Sequence, residues 1–185
     1  MTFKQHLHLT KSTSLVLQTS KKSKRQQDNM VPNPFANPRV GIAAIIQRKD
    51  GKIVVGKRES SHGAGTLQLP GGHLEFGESF FTCAERETLE ESGLKVRGVK
   101  VAAVTNDVYE GLGRHYITIF VRCEMEDADA EPVNLEPEKC SGWYWKTWQE
   151  VREINEAAKV GDGSVKLFLP LQHLVEENPD IETSS

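Results

Sequence analysis

Apolar positions gather into short runs rich in β-branched and aromatic residues, and six of these read as strands: 40–47, 52–57, 67–69, 99–106, 116–123 and 143–145. Asp50-Gly51 between the first two is a hairpin signal. Segments 79–92, 148–158 and 165–177 read as helices. The first has Ser79 at its start, suited to accept from the opening N–H groups, and Gly93 at its end, where a left-handed cap residue is expected. The other two are separated by Gly161-Asp162-Gly163. Strands come before, between and after helices without strict alternation. That order predicts an α/β (α+β) chain with a mixed β-sheet sandwiched between helices.

Residues 1–38 do not share the pattern. They are rich in Lys, Ser, Thr and Gln, and they cross Pro32, Pro34 and Pro38, which cannot sustain a helix. They read as a basic, disordered tail, with 39–178 as one domain and 179–185 as a C-terminal tail. The alternative for the tail is a mitochondrial presequence, because it is acid-poor with some apolar character from Leu7 onward. Its positive charges, however, cluster after the apolar part.

Composition narrows the partners. A chain with 37% hydrophobic and 26% charged residues is globular in type. There are 26 acidic residues against 23 basic ones, a net charge of -3. Residues 1–27 hold no acid, whereas Lys4, Lys11, Lys21, Lys22, Lys24 and Arg25 crowd into them. The domain is therefore strongly acidic and repels nucleic-acid backbones, whose binding rests on cation–phosphate attraction. Polymeric nucleic acid is an unsuitable partner. An anionic small substrate would need positive charge from elsewhere, and a divalent metal is the usual device. No apolar run approaches the roughly 20 residues of a membrane span. Cys83, Cys123 and Cys140 have no metal-binding spacing and suit a reducing compartment.

The first helix carries the candidate chemistry in Arg86-Glu87-Thr88-Leu89-Glu90-Glu91. Positions i, i+3 and i+4 share a helix face, which places Glu87, Glu90 and Glu91 together, opposite Phe80, Ala84, Thr88 and Leu89. A solvated surface helix explains such a run. So does a site for a hard divalent ion, which prefers oxygen ligands and keeps several waters. Before the helix, Pro70-Gly71-Gly72 makes a sharp exit from a strand, and with no side chain at Gly72 its carbonyl is free to join the carboxylates.

Gly72, five residues, Glu78, seven residues, Arg86-Glu87, two residues, Glu90-Glu91, one residue and Gly93-Leu94 resembles the Nudix box, G-x5-E-x7-R-E-U-x-E-E-x-G-U. The departure is Thr88, where a bulky aliphatic is usual. With the run from Leu69 to Glu78 and with Glu136-Pro137-Glu138-Lys139, the chain resembles the MutT-like Nudix hydrolases. Within these it is similar to animal enzymes acting on thiopurine and ordinary nucleoside triphosphates, and to plant enzymes acting on dihydroneopterin triphosphate. The resemblance implies a Nudix fold, Mg²⁺ (or Mn²⁺) dependence and a homodimer, and the cysteine set makes a cytoplasmic location the expected one. It also implies attack of water on phosphorus, converting a nucleoside or pterin triphosphate to monophosphate and pyrophosphate.

Residue by residue, the resemblance implies Glu87, Glu91, Glu90 and the Gly72 carbonyl as metal ligands. Arg86 would orient the carboxylates and Glu78 would brace the loop before the helix. The general base would be a box glutamate, Glu90 or Glu91, or a glutamate of the later loop, Glu136 or Glu138. Arg58 would contact phosphate, and Leu69, Gly72, Thr118, Phe168 and Leu171 would line the substrate pocket. His73 and His115 read as loop histidines, and Trp143, Tyr144 and Trp145 as core. The absence of proline between Pro70 and Pro132 sets the chain apart from the ADP-ribose pattern. Tyr109 lies near the position of a tyrosine common in dinucleoside polyphosphate enzymes. The alternatives are therefore a diadenosine polyphosphate or prenyl diphosphate hydrolase, or a nucleotide-binding module without catalysis.

Overall fold

The computed structural model describes residues 37–60, 62–163 and 165–181. The tail expected over 1–38 lies outside the described residues apart from its last two, as do 182–185. Seven strands and three helices follow in the order β1 (Arg39–Ile46), β2 (Ile53–Arg58), β3 (Leu67–Gln68), β4 (Gly71–His73), α1 (Phe80–Ser92), β5 (Val96–Tyr109), β6 (Arg114–Met125), β7 (Cys140–Lys146), α2 (Trp148–Lys159) and α3 (Leu169–Glu177).

The strands form the mixed β arrangement expected, divided into two sheets flanked by helices. One has the order β4-β1-β6-β5, with β1 and β6 parallel; the other has the order β3-β2-β7 and is antiparallel. The Asp50-Gly51 turn is present, with Gly51 at φ 83° and its N–H bonded to the Arg48 carbonyl at 3.0 Å. Yet β1 and β2 part beyond the bridge between Gln47 and Ile53 and join different sheets. The apolar pattern explains the parting. Both strands are apolar on both faces, and alternate residues serve two cores. Ile42, Ala44, Ile46 and Val54 pack with Ala84, Leu94 and Val121 on the α1 side. Ile45, Ile53 and Val55 pack with Phe120, Val151, Leu171 and Leu174 on the side of α2 and α3. The two sheets are thus held between helices.

Several boundaries moved for identifiable reasons. Pro70-Gly71-Gly72 leads into a short strand, β4, paired antiparallel to β1 with Gly41 opposite His73. β5 and β6 run past their apolar centres, because polar ends such as Asp107 and Tyr116 still satisfy each other across the ladder. The last helix begins at Leu169, not at 165. Pro170 has no N–H to donate and is accommodated in the opening turn. Residues before it run extended beside β3, with the Leu67 N–H bonded to the Lys166 carbonyl and the Phe168 N–H to the Leu67 carbonyl, both at 2.8 Å. Ile181, in the stretch read as a C-terminal tail, is buried, and its carbonyl accepts from Arg122 at 2.6 Å. Packing of the domain therefore reaches at least that residue. Among the described residues no helix is long and apolar enough to cross a membrane.

Candidate active site

α1 is the element that presents the carboxylates. The Ser79 hydroxyl accepts from the Thr82 N–H at 3.0 Å, and Gly93, at φ 69°, donates to the Leu89 carbonyl at 3.0 Å, so both ends are capped as the sequence predicts. The last-turn carbonyls are satisfied from outside the helix: the Trp143 indole and the Leu135 N–H both donate to the Glu91 carbonyl, each at 3.1 Å. The helix buries Cys83, Ala84, Thr88, Glu91 and Ser92. Phe80 and Leu89, expected on the apolar face, are 40% and 44% exposed. Thr88 occupies a fully buried position, so the departure from the box pattern falls on packing.

The three acids expected on one face divide. At about 100° per residue, Glu87 and Glu91 lie about 40° apart around the helix, while Glu90 lies about 100° from Glu91. Glu87 and Glu91 line a cavity of ≈ 510 Å³. Glu90 is exposed on the flank, bonded to Arg86 at 3.1 Å, and is not a lining residue. Glu91 is 7% exposed, and burial pushes its carboxyl up to about 7, against the Gly71 N–H that donates to it at 3.0 Å. Burial likewise raises Glu87. Gly72 packs directly against Glu87: a Cβ there would stand 2.2 Å from Glu87 Oε1, so any side chain at this position would displace that carboxylate.

Arg86 ties the surrounding acids together. Its guanidinium donates to Glu78 at 2.9 and 3.1 Å, to Glu87 at 2.9 Å and to the His73 carbonyl at 3.3 Å. Glu78 also accepts from the Glu75 N–H at 3.2 Å, and its pairing with Arg86 holds it down at about 2. The arrangement joins the loop before α1 to the helix and fixes one oxygen of Glu87.

On the later loop, Glu136 approaches the site and Glu138 does not. The Glu136 charge helps to raise Glu91, its Oε1 accepts from Lys139 at 2.7 Å, and its Oε2 is buried without a partner. Glu138 is exposed and does not line the cavity. The sequence alone did not separate these two.

Besides the carboxylates the cavity is lined by Arg58, Leu69, Thr118, Phe168 and Leu171, and by Gly72 next to Glu87, so that each residue expected to contact substrate is on its wall. Arg58 lies 4.1 Å over the Phe168 ring. Its guanidinium donates to the His62 carbonyl at 3.0 Å, to Ser60 at 2.8 Å and to Gln68, which uses three of its five N–H groups and fixes its orientation. Lys139 is a second cation on the wall. His73 lines the cavity beside Tyr116, whereas His115 bonds Asn106. Trp143 is core, and Tyr144 is 50% exposed.

Among the lining residues not singled out for this role from the sequence are the aromatic His62, Tyr109 and Tyr116. Tyr109 and Tyr116 sit at the ends of β5 and β6, and only the strand register brings them together. Beneath them Asp107 is fully buried and accepts from Thr118 at 2.5 Å and Thr105 at 3.0 Å, with His173 of α3 at 2.8 Å.

The donors fit a hard divalent cation. Two carboxylates one helical turn apart face the Gly72 backbone, and the nearby Glu136 oxygen is a buried acceptor with nothing to accept from. Among the described residues no three His, Cys, Asp or Glu side chains are already drawn together as a complete metal cage. Mg²⁺ does not need one, because water and substrate phosphate complete its shell.

Comparison with known proteins agrees with this geometry. A family model described as the NUDIX domain matches residues 37–168. The chain belongs to the Nudix family and is a Nudix hydrolase, of the class acting on phosphoanhydride bonds. It is 32% identical to a MutT-like protein of Streptomyces ambofaciens over 62% of this chain and 67% of that one. To an ADP-ribose pyrophosphatase of Methanocaldococcus jannaschii it is 37% identical over 40% of this chain, spanning 44% of that enzyme. Among solved structures, a MutT Nudix hydrolase from Burkholderia pseudomallei superposes with a TM-score of 0.54 at 29% identity, covering 59% of this chain and 82% of that one. A MutT protein from Methanosarcina mazei shares the fold at a TM-score of 0.63 and 19% identity, covering 80% of this chain and 98% of that one.

Proposed function

We propose that the protein is a Mg²⁺-dependent pyrophosphohydrolase of nucleoside or pterin triphosphates, releasing the monophosphate and pyrophosphate. The observation that carries this reading is the pair Glu87 and Glu91, half-enclosed at one end of a cavity whose other end is aromatic. The cavity volume suits one nucleotide-sized ligand. Relatives bear names of ADP-ribose and RNA pyrophosphohydrolases, which supports cleavage of a diphosphate linkage in general. The acidic composition of the domain favours a small substrate over a polymer.

Glu87, Glu91 and the Gly72 carbonyl would hold the cation, which when bound neutralises phosphate oxygens and acidifies a coordinated water. The chain's own residues supply the positioning on which phosphoryl transfer chiefly depends. Arg86 holds Glu87 in one orientation, and the Gly71 N–H does the same for Glu91. Glu136 would accept a proton from an attacking water, a reading supported by its charge acting on Glu91 and by its partnerless buried oxygen, and a role that the sequence had shared with Glu138. Arg58 and Lys139 would draw the substrate's phosphates. Glu90 acts through Arg86. The homodimer, on resemblance alone, and the cytoplasmic location, on the cysteine set, belong to this proposal as well.

The test is a panel of nucleoside triphosphates, dihydroneopterin triphosphate, ADP-ribose, diadenosine polyphosphates and prenyl diphosphates with Mg²⁺, reading pyrophosphate against phosphate. Pyrophosphate release from triphosphates is expected. No turnover of any triphosphate, or turnover undiminished by a chelator, refutes the reading.

A further inference from the structure

β1 carries a glycine, Gly41, at a place where the protein's own packing does not require one. The strand lies inside its sheet, and Gly41 is paired with His73 of β4 on one edge and with Thr118 of β6 on the other. A glycine in a strand interior gives up side-chain packing and costs backbone entropy. Three things account for such a residue: a left-handed backbone, a neighbour that leaves no room for a side chain, or close approach of a ligand.

The first two do not hold for Gly41. It is not among the glycines with positive φ. A Cβ built on it would meet, within 4 Å, only the Thr118 hydroxyl at 3.7 Å and the Gly72 carbonyl at 3.8 Å, both ordinary contact distances. Gly56 of β2 is the contrast, since a Cβ there would stand 2.6 Å from the Trp143 ring.

The third is left, and the surroundings define what approaches. Gly41 is only half-buried although β1 is an inner strand, and it lines the cavity with Ala43, which shares its face of the strand. The missing side chain leaves a dimple in the cavity floor. On one side stands the Gly72 carbonyl, at the carboxylate end. On the other stands Thr118, on the same face of β6 as Tyr116 of the aromatic end. The Thr118 hydroxyl already donates to Asp107 at 2.5 Å, so it has only lone pairs left for a ligand. We propose that Gly41 is a specificity-determining residue whose dimple receives the hydroxylated linker between the substrate's phosphates and its ring: the pentose of a nucleotide or the hydroxylated side chain of a pterin. A hydroxyl of that linker donates to Thr118, whereas an alkyl linker offers no donor. The inference rests on the triphosphate reading above and adds the contact to the middle of the substrate.

The experiment compares full-length wild type, Gly41→Ala and Gly41→Val with Mg²⁺. It measures KM for dGTP and dihydroneopterin triphosphate, inhibition of that turnover by pyrophosphate, and the urea unfolding midpoint. Gly41→Ala should raise KM roughly 5- to 50-fold, as overpacking by one methyl group does, and Gly41→Val should raise it further. Pyrophosphate has no linker, and its inhibition constant should stay within about twofold of wild type. The unfolding midpoint of Gly41→Ala should equal or exceed the wild-type value, because the added Cβ fits and the unfolded chain loses freedom. A Gly41→Ala KM within about twofold of wild type overturns the proposal. So does a fall in its unfolding midpoint, or a parallel rise in KM and in the pyrophosphate constant, since either makes Gly41 a packing residue. If wild type cleaves neither triphosphate, the inference falls together with the triphosphate reading; if wild type cleaves one and the variants behave alike, the inference falls alone.

Discussion

Glu91 offers the sharpest test of the carboxylate pair, through stability measured without metal. Its side chain is 7% exposed and its carboxyl is pushed up to about 7 by burial, with Glu87 and Glu136 adding to the rise, from an ordinary value of 4.5. An acid whose folded value is raised binds its proton more tightly when folded. The native state therefore loses stability as pH rises from about 4.5 to about 7, and the loss is complete above that window. At about 1.4 kcal/mol per pH unit of displacement, the ceiling is about 3 kcal/mol. Glu91→Gln keeps the shape and the Gly71 contact without ionising. In EDTA, urea unfolding of the two proteins from pH 4.5 to 8 should show the wild type falling relative to the variant by up to about 3 kcal/mol, with the divergence confined to that window. Millimolar Mg²⁺ should return much of the difference at pH 7.5, since a cation that binds only the native state stabilises it by mass action. Parallel pH profiles, or a Mg²⁺ response as large in Glu91→Gln as in wild type, would show that Glu91 is neither strained by ionisation nor relieved by metal.

Four further outcomes are expected. Glu91→Gln should lower kcat about 10²- to 10⁴-fold with circular dichroism unchanged, the range typical for loss of a group acting on the reacting atoms; near-normal turnover refutes its assignment. Gly72→Ala places a methyl group 2.2 Å from Glu87 Oε1, and the flexible carboxylate yields more cheaply than the backbone. Activity should therefore collapse while urea stability changes by less than about 1 kcal/mol. Asp107→Ala leaves the Thr105 and Thr118 hydroxyls without their acceptor and removes the tie to His173 of α3; it should cost about 2–3 kcal/mol in urea unfolding. Glu136→Gln should reduce turnover at least tenfold and Glu138→Gln by less than twofold, and steady-state kinetics showing the reverse order would return the base to Glu138.

The helix caps, the spacing of the acids and the apolar cores of the strands were legible from local chemistry, because each depends on residues within a turn or a pleat of one another. Ser79 and Gly93 mark the helix ends through their own hydrogen bonds, and Gly72 through Leu94 carry a pattern that no tertiary contact is needed to read. What local chemistry left open was decided by packing. Glu87, Glu90 and Glu91 look alike on one helix, and only the direction in which α1 docks buries two of them and turns the third to solvent. β1 and β2 look like a plain hairpin, and the packing of their alternate apolar residues into two cores goes with their parting into separate sheets. Glu136 and Glu138 differ in exposure because the loop leading into β7 folds against the end of α1. The aromatic cluster belongs wholly to tertiary structure: His62, Tyr109, Tyr116 and Phe168 come from four separate stretches, and strand register and helix docking bring their rings within contact. Sequence determines which groups a chain can offer, whereas the desolvation and convergence that make a site of them arise only where distant segments close around a common space.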